Sequence, residues 1–240
     1  MTLLILGGSG EGRALSKALS GRDAILSLAG ATRMPLAQGV PVVSGGFGGE
    51  NGFRAFVGER GITAVLDATH PFAHRITARS ARVCAELGIP YLQLSRPPWV
   101  PEAGDNWIDI DQEEEAAALI PDRATVFLGT GRGTLERFAN LQGRQVICRQ
   151  IDPPTGPFPF EGGSFLIGRP PFSIEDEERL FRDLGVDVLI VKNAGGEPSR
   201  TKLVAARHLG IPVIMIRRPP QGNWDCVHTV EEALAWVSRQ

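Results

Sequence analysis

Short apolar runs of strand length alternate along this chain with longer stretches whose apolar positions recur every three to four residues. Residues 3–6, 24–28, 40–43, 64–66 and 91–94 are apolar almost throughout, the pattern of parallel strands buried on both faces. Residues 11–19, 52–60 and 73–87 carry helical spacing between them, so the segment 1–95 reads as a βα repeat with helices on both faces of a parallel sheet. Residues 95–105, SRPPWVPEAGD, hold three prolines that can continue neither a helix nor a central strand. The alternation then resumes, with predicted strands at 124–128, 145–148, 164–167, 186–191 and 213–216 and helices at 112–119, 134–140, 174–184, 201–209 and 230–239. Two α/β domains are therefore expected, 1–95 and 106–240, joined by a linker at 96–105. Leu87-Gly88-Ile89-Pro90-Tyr91 and Leu209-Gly210-Ile211-Pro212-Val213 repeat one helix-stop, strand-start device in the two halves.

Composition narrows the partners. The 240 residues are 42% hydrophobic and 22% charged, enough for packed cores without disulfide or metal staples. A net charge of -2 offers no general field for a nucleic-acid backbone, and no apolar run approaches the roughly 20 residues of a membrane helix. The N-terminus lacks the basic segment and apolar core of a signal peptide, and a cytoplasmic location is expected. Cys84, Cys148 and Cys226 are odd in number and widely spaced, as reduced core thiols would be. Only Lys17, Lys192 and Lys202 are lysine among 25 basic residues. That bias fits a GC-rich coding sequence, and it equally fits recognition of a polycarboxylate or phosphate ligand by guanidinium groups.

Candidate chemistry sits where strands end. Gly7 to Gly12, GGSGEG, follows the first strand and opens the first helix, where main-chain amides favour a phosphate. The spacing departs from GxGxxG, because aligning Gly8 and Gly10 puts Arg13 at the third glycine, and a tight turn without ligand shares the pattern. After the second strand, where a carboxylate would read the ribose of NAD, stand Thr32 and Arg33, which suit the 2′-phosphate of NADP. The fourth strand ends in Asp67-Ala68-Thr69-His70-Pro71-Phe72-Ala73 at the carboxyl edge, where ligands of open α/β sheets bind. His70 and His74 make a two-ligand set without an obvious third, so no metal is expected.

In the second half Gly129-Thr130-Gly131-Arg132-Gly133-Thr134 repeats the glycine device. Lys192-Asn193-Ala194-Gly195-Gly196 follows a strand, Ser199 to Lys202 precede a helix, and with Arg132 the two lysines form an anion-binding wall. The chain has no GxSxG, HExxH or Walker pattern.

Taken together and in order, GGSGEGR at 7–13, DATHPFA at 67–73, GTGRG at 129–133 and KNAGG with Ser199 and Lys202 resemble the precorrin-6A reductase family of cobalamin biosynthesis. The resemblance implies two Rossmann-like or flavodoxin-like α/β domains with mostly parallel sheets, an active-site cleft between them, and hydride transfer from NADPH to a double bond of a tetrapyrrole. It places the cofactor at Gly8, Ser9, Gly10, Glu11, Gly12, Thr32, Arg33 and Thr69, and the substrate at His70, Gly131, Arg132, Lys192, Asn193, Ser199 and Lys202. Asp67 and His70 are the acid candidates, by position. The precorrin is the expected partner, and other cobalamin enzymes are candidates for substrate hand-over.

Three other readings stay open. A cobalt-containing substrate is not separated by motif from the metal-free one. A short-chain type reductase would need a Tyr-x-x-x-Lys pair, whereas Tyr91 is followed four residues on by Ser95. A non-catalytic nucleotide-sensing domain would bind NADPH without reducing an acceptor. Arg33→Ala is expected to weaken NADPH binding by roughly 1.5–3 kcal/mol, the worth of hydrogen bonds to a charged group, and to leave NADH unchanged. Equal loss for the two cofactors would remove Arg33 from the 2′-phosphate site.

Overall fold

The computed structural model describes residues 2–30 and 37–240, and the chain divides into two units, Met1–Pro97 with Pro219–Gln240, and Pro98–Arg218. The first unit begins with β1 (Thr2–Leu6), α1 (Gly10–Ala18), β2 (Ala24–Leu28) and β3 (Val42–Ser44). It continues with α2 (Glu50–Glu59), β4 (Ile62–Asp67), α3 (His74–Leu87) and β5 (Tyr91–Leu94). The second unit runs through β6 (Trp107–Ile110), β7 (Thr125–Leu128), β8 (Gln145–Gln150), β9 (Gly163–Ile167), α4 (Ile174–Leu184), β10 (Val188–Lys192), α5 (Thr201–Leu209) and β11 (Val213–Ile216). The chain then returns to the first unit as β12 (Cys226–Val227) and α6 (Val230–Val237).

The apolar strand pattern has a direct cause in the first unit. Leu3 and Ile5 of β1 pack with Leu15 and Leu19 from the α1 side and Ala233 and Val237 of α6. Leu4 and Leu6 face the other way, onto Phe53 and Val57 of α2 and Val83 and Cys84 of α3. A strand covered on both faces has no polar positions to alternate. The sheet order is β12-β5-β4-β1-β2-β3, and every strand pairing among the described residues is parallel. Winding runs outward from β1 to β3 and restarts on the other side of β1 with β4, so the switch point lies between β1 and β4.

The second unit repeats this plan. Its order, β6-β11-β10-β7-β8-β9, runs outward from β7 to β9 and restarts at β10, which puts its switch point between β7 and β10. Inside it, Arg149 and Glu177 form a bidentate pair with both N–O distances at 2.7 Å, at 9% and 1% exposure. The guanidinium lies over the Phe127 and Phe172 rings, 5.1 and 4.3 Å from their centroids. No helix among the described residues is long and apolar enough to cross a membrane.

The fold departs from expectation in several places, among them β6 and β12, strands that the sequence pattern did not signal. Residues 219–240, expected in the second domain, belong to the first: Cys226 and Val227 pair with Gln93 and Leu94 of β5. Gln93 Oε1 accepts from Gln221 Nε2 at 2.9 Å and Trp224 Nε1 at 2.7 Å, and the Thr229–Glu232 capping box starts α6. The expected linker is packed from residue 98 onward, because Trp99 is buried in the second core and Asp105 pairs with Arg207 at 2.8 Å. Residues 112–119 and 134–140, expected as helices, lie in 3-10 segments Glu113–Leu119 and Arg132–Leu141, the second broken at Thr134 (φ -128°). Arg144 donates to the carbonyls of Ala117 and Ile120, and Asn140 to that of Glu114, so side chains satisfy carbonyls that an α-helix would have used.

Glu177→Ala leaves the Arg149 charge buried without its partner, and about 3–5 kcal/mol of stability is expected to be lost from the second unit. Urea unfolding followed through Trp99 and Trp107 measures it. Replacing both partners, as Arg149→Met with Glu177→Leu, is expected to recover most of that loss.

Candidate functional site

In the first unit the polar groups gather where β1 and β4 end. Gly7 N donates to Ser27 O at 2.8 Å, which carries the sheet ladder one residue past β1. Gly8 then turns the chain with φ at 126°, a conformation that disfavours any side chain. Ser9 caps α1: its Oγ accepts from Gly12 N at 3.0 Å and donates to Ala68 O at 2.7 Å. One hydroxyl thus ties the start of α1 to the end of β4. A Cβ at Gly12 would lie 3.2 Å from Gly7 Cα and 3.3 Å from Ala68 O, so glycine is what lets the helix sit this close. Glu11 projects from the first turn and is paired with Arg96 at 2.5 Å.

The loop after β4 hangs on Asp67, which is fully buried. Its Oδ1 accepts from Thr69 N at 2.9 Å and its Oδ2 from Tyr91 OH at 2.7 Å. Burial, and then the neighbouring Asp67 carboxylate, push the Tyr91 hydroxyl far above its usual pKa and keep it a donor. Thr69 Oγ1 lies 3.2 Å from Thr77 Oγ1 on α3. His70 is half-buried beside the Phe72 ring, and its Nδ1 accepts from Phe72 N at 3.3 Å, which leaves the ring proton on Nε2. His74, one turn further on, is exposed at the start of α3.

The carboxyl edge of the second sheet brings together residues from three separate sequence segments. Gly131 leads into the 3-10 segment that starts at Arg132, after β7. Lys192, the last residue of β10, donates from Nζ to Thr134 Oγ1 at 3.0 Å and lies 3.7 Å from the buried carboxylate of Glu113. Burial lowers the Lys192 pKa below its ordinary 10.5, with Glu113 opposing the shift. Glu113 is held in turn by Arg137 at 2.7 Å. Lys202 Nζ stands 5.7 Å from the centroid of the Trp99 ring and donates to Ser199 O.

Asn193 and Ser199 also bond within the protein. The Asn193 carboxamide grips the main chain of Trp99, accepting from its N–H at 2.8 Å and donating to its carbonyl at 3.0 Å. Ser199 contributes its main-chain carbonyl to Lys202. Trp99 Nε1 also donates to Gly196 O at 3.0 Å, and Arg218 to the carbonyls of Asn193 and Ala194 at 2.7 and 2.8 Å, so the loop after β10 is clamped from two sides. Thr32 and Arg33 lie outside the described residues.

Sequence reasoning missed Arg96, Trp99, Glu113 and Arg218 as parts of these clusters. Trp99 and Asn193 are 94 positions apart, and no local pattern signals such a pair. Tyr91 offered a faint signal, since it is the chain's single tyrosine and it opens a predicted strand beside the one that ends in Asp67.

Known proteins share this arrangement. A family model described as Precorrin-6x reductase CbiJ/CobK matches residues 2–238. A precorrin-6A reductase of Rhodococcus erythropolis is 44% identical over 240 residues, covering 98% of this chain and 96% of the relative. One of Rhodobacter capsulatus is 38% identical over 239 residues, covering 98% and 95%. A solved structure of CobK precorrin-6A reductase superposes with a TM-score of 0.94 at 38% identity, over 100% of this chain and 97% of that one. With both switch points and their glycine loops in place and the match running from end to end, the chain belongs to the precorrin-6x reductase CbiJ/CobK family.

Proposed function

We propose that this chain reduces one carbon–carbon double bond of the precorrin-6A macrocycle in cobalamin biosynthesis, with NADPH as the reductant. The family is one of nicotinamide-dependent reductases of that macrocycle, and the choice of NADPH over NADH rests on Thr32 and Arg33 in the sequence. The observation that carries the cofactor site is the Ser9 bridge from Gly12 N to Ala68 O at the switch point between β1 and β4. It fits a dinucleotide, because glycine at position 12 brings the amides of a helix start up to the strand ends. Gly8, Ser9, Gly10, Glu11 and Gly12 would hold the pyrophosphate, with Thr69 joining from the β4 side. Arg96 offsets the Glu11 carboxylate, which would otherwise repel a phosphate at this helix start. NADPH, when bound, supplies the hydride.

The chain's own residues do the positioning. Asp67, buried and accepting from both Thr69 and Tyr91, holds the loop after β4 and is a positioning residue in this reading. His70 is the acid candidate by position for the carbon next to the one reduced, and it would give the proton as the imidazolium, once Nδ1 is protonated and no longer accepts from Phe72 N. Arg132, Lys192, Lys202 and the Gly131 main chain would take the acetate and propionate arms of the macrocycle. The relatives at 44% and 38% identity are reductases of the metal-free precorrin by name, which favours that substrate over its cobalt form. A cytoplasmic location and hand-over of the macrocycle between pathway enzymes accompany this role.

Titrating the protein with NADPH and NADH, followed by nicotinamide fluorescence, is expected to show NADPH at least tenfold tighter, about 1.4 kcal/mol. Mixing with precorrin-6A should then consume one NADPH per macrocycle, and no consumption would overturn the assignment. Because burial lowers the Lys192 pKa, the cation is lost as pH rises, before the ordinary lysine value of 10.5 is reached. KM for the macrocycle is therefore expected to climb on the alkaline side below pH 10.5. In Lys192→Arg, which stays charged, the profile should be flat there.

A further inference from the structure

Gln150 ends β8 and is 7% exposed. Its main chain is engaged, the carbonyl accepting from Gly168 N at 3.0 Å. Its side chain is not: Nε2 and Oε1 are both buried, and neither meets a hydrogen-bond partner among the described residues. A carboxamide brings two donor hydrogens and an acceptor oxygen, and burying one with both ends unmatched is unfavourable and uncommon. Leucine or methionine would fill the same place without that cost, so packing does not account for glutamine here.

The register of the sheet supplies a use. Cys148 on β8 pairs with Leu128 on β7, and Leu128 pairs with Ile190 on β10. β8 and β10 each run two residues further, to Gln150 and Lys192, while β7 has ended at Leu128. The two-residue period puts Gln150 and Lys192 on one face of the sheet, their backbones two strand spacings or roughly 10 Å apart. That face is the one where Lys192 meets Thr134 and Glu113. Arg149, one position earlier, points to the opposite face and pairs with Glu177 of α4. Gln150 thus stands in line with the anion-binding groups at the carboxyl edge of the second sheet, and it is uncharged, so it needs no counter-ion while buried.

We propose that Gln150 is a specificity-determining residue for the macrocycle. Its Nε2 donates to a carboxylate arm next to the one that Lys192 takes, and its Oε1 accepts from an N–H of the ring. The proposal rests on the reading that the second unit takes a polycarboxylate tetrapyrrole.

The test compares wild-type protein with Gln150→Leu and Gln150→Glu, measuring thermal midpoint, NADPH affinity, and KM and kcat for precorrin-6A. Gln150→Leu is expected to keep or raise the midpoint, because no protein hydrogen bond is lost. It should leave NADPH affinity unchanged and raise KM for the macrocycle about tenfold, with kcat little altered. Gln150→Glu should raise KM further, most at low ionic strength, through repulsion of the carboxylate arm. An unchanged KM in both variants overturns the proposal, and a lowered midpoint in Gln150→Leu alongside it assigns the side chain to a buried structural water. Parallel loss of NADPH binding overturns it too. If the wild type leaves precorrin-6A unreduced, the functional reading falls and takes this inference with it. If the wild type is active and the variants match it, only this inference falls.

Discussion

A parallel sheet that winds outward from its first strand and then restarts on that strand's other side leaves two neighbouring strands whose following segments part in opposite directions. The rest of this molecule depends on that constraint, met once between β1 and β4 and again between β7 and β10. The segments that part there expose main-chain amides and carbonyls at the carboxyl edge. In the first unit Ser9 closes the gap by bonding Gly12 N and Ala68 O with one hydroxyl. The glycines at 8 and 12 are consequences of that closeness, one through its backbone angle and the other through the space a side chain would need.

Both units use the same plan with opposite charge at equivalent places. The strand beyond the first switch point ends in Asp67, and the strand beyond the second ends in Lys192. Asp67 turns inward and holds its own loop, accepting from Thr69 and Tyr91. Lys192 stands among Thr134, Glu113 and, through Glu113, Arg137. A carboxylate buried under a loop organises main-chain donors, whereas a cation at a strand end suits an anionic ligand. The glycine loops also lead into different elements, a capped α-helix after β1 and a kinked 3-10 segment after β7.

Three further clusters of buried charge are paired. Arg149 is matched by Glu177, Glu113 by Arg137 and Lys192, and Asp105 by Arg207, so each of these buried charges has a partner of opposite sign. The contrast makes Gln150 stand out, since its neutral amide is buried with neither end matched.

The sequence alone determined the alternation of strand and helix, the parallel sheets, and the glycine loops at strand ends. Each of these is a local matter of periodicity or of backbone angle over a few residues. The strands at 91–94 and 213–216 and the helices at 174–184 and 201–209 coincide with the elements found, because each is bounded by its own cap, glycine or proline. The tertiary structure decided what local pattern has no access to. It sent residues 219–240 back to the first sheet, through contacts such as Gln93 with Gln221 that span 128 positions. It set the Asn193 carboxamide on the main chain of Trp99, 94 positions away, a contact that no local pattern signals. Which polar side chain is satisfied within the protein and which is left to meet something else depends on the distances between elements, and those are fixed only when the sheets have packed.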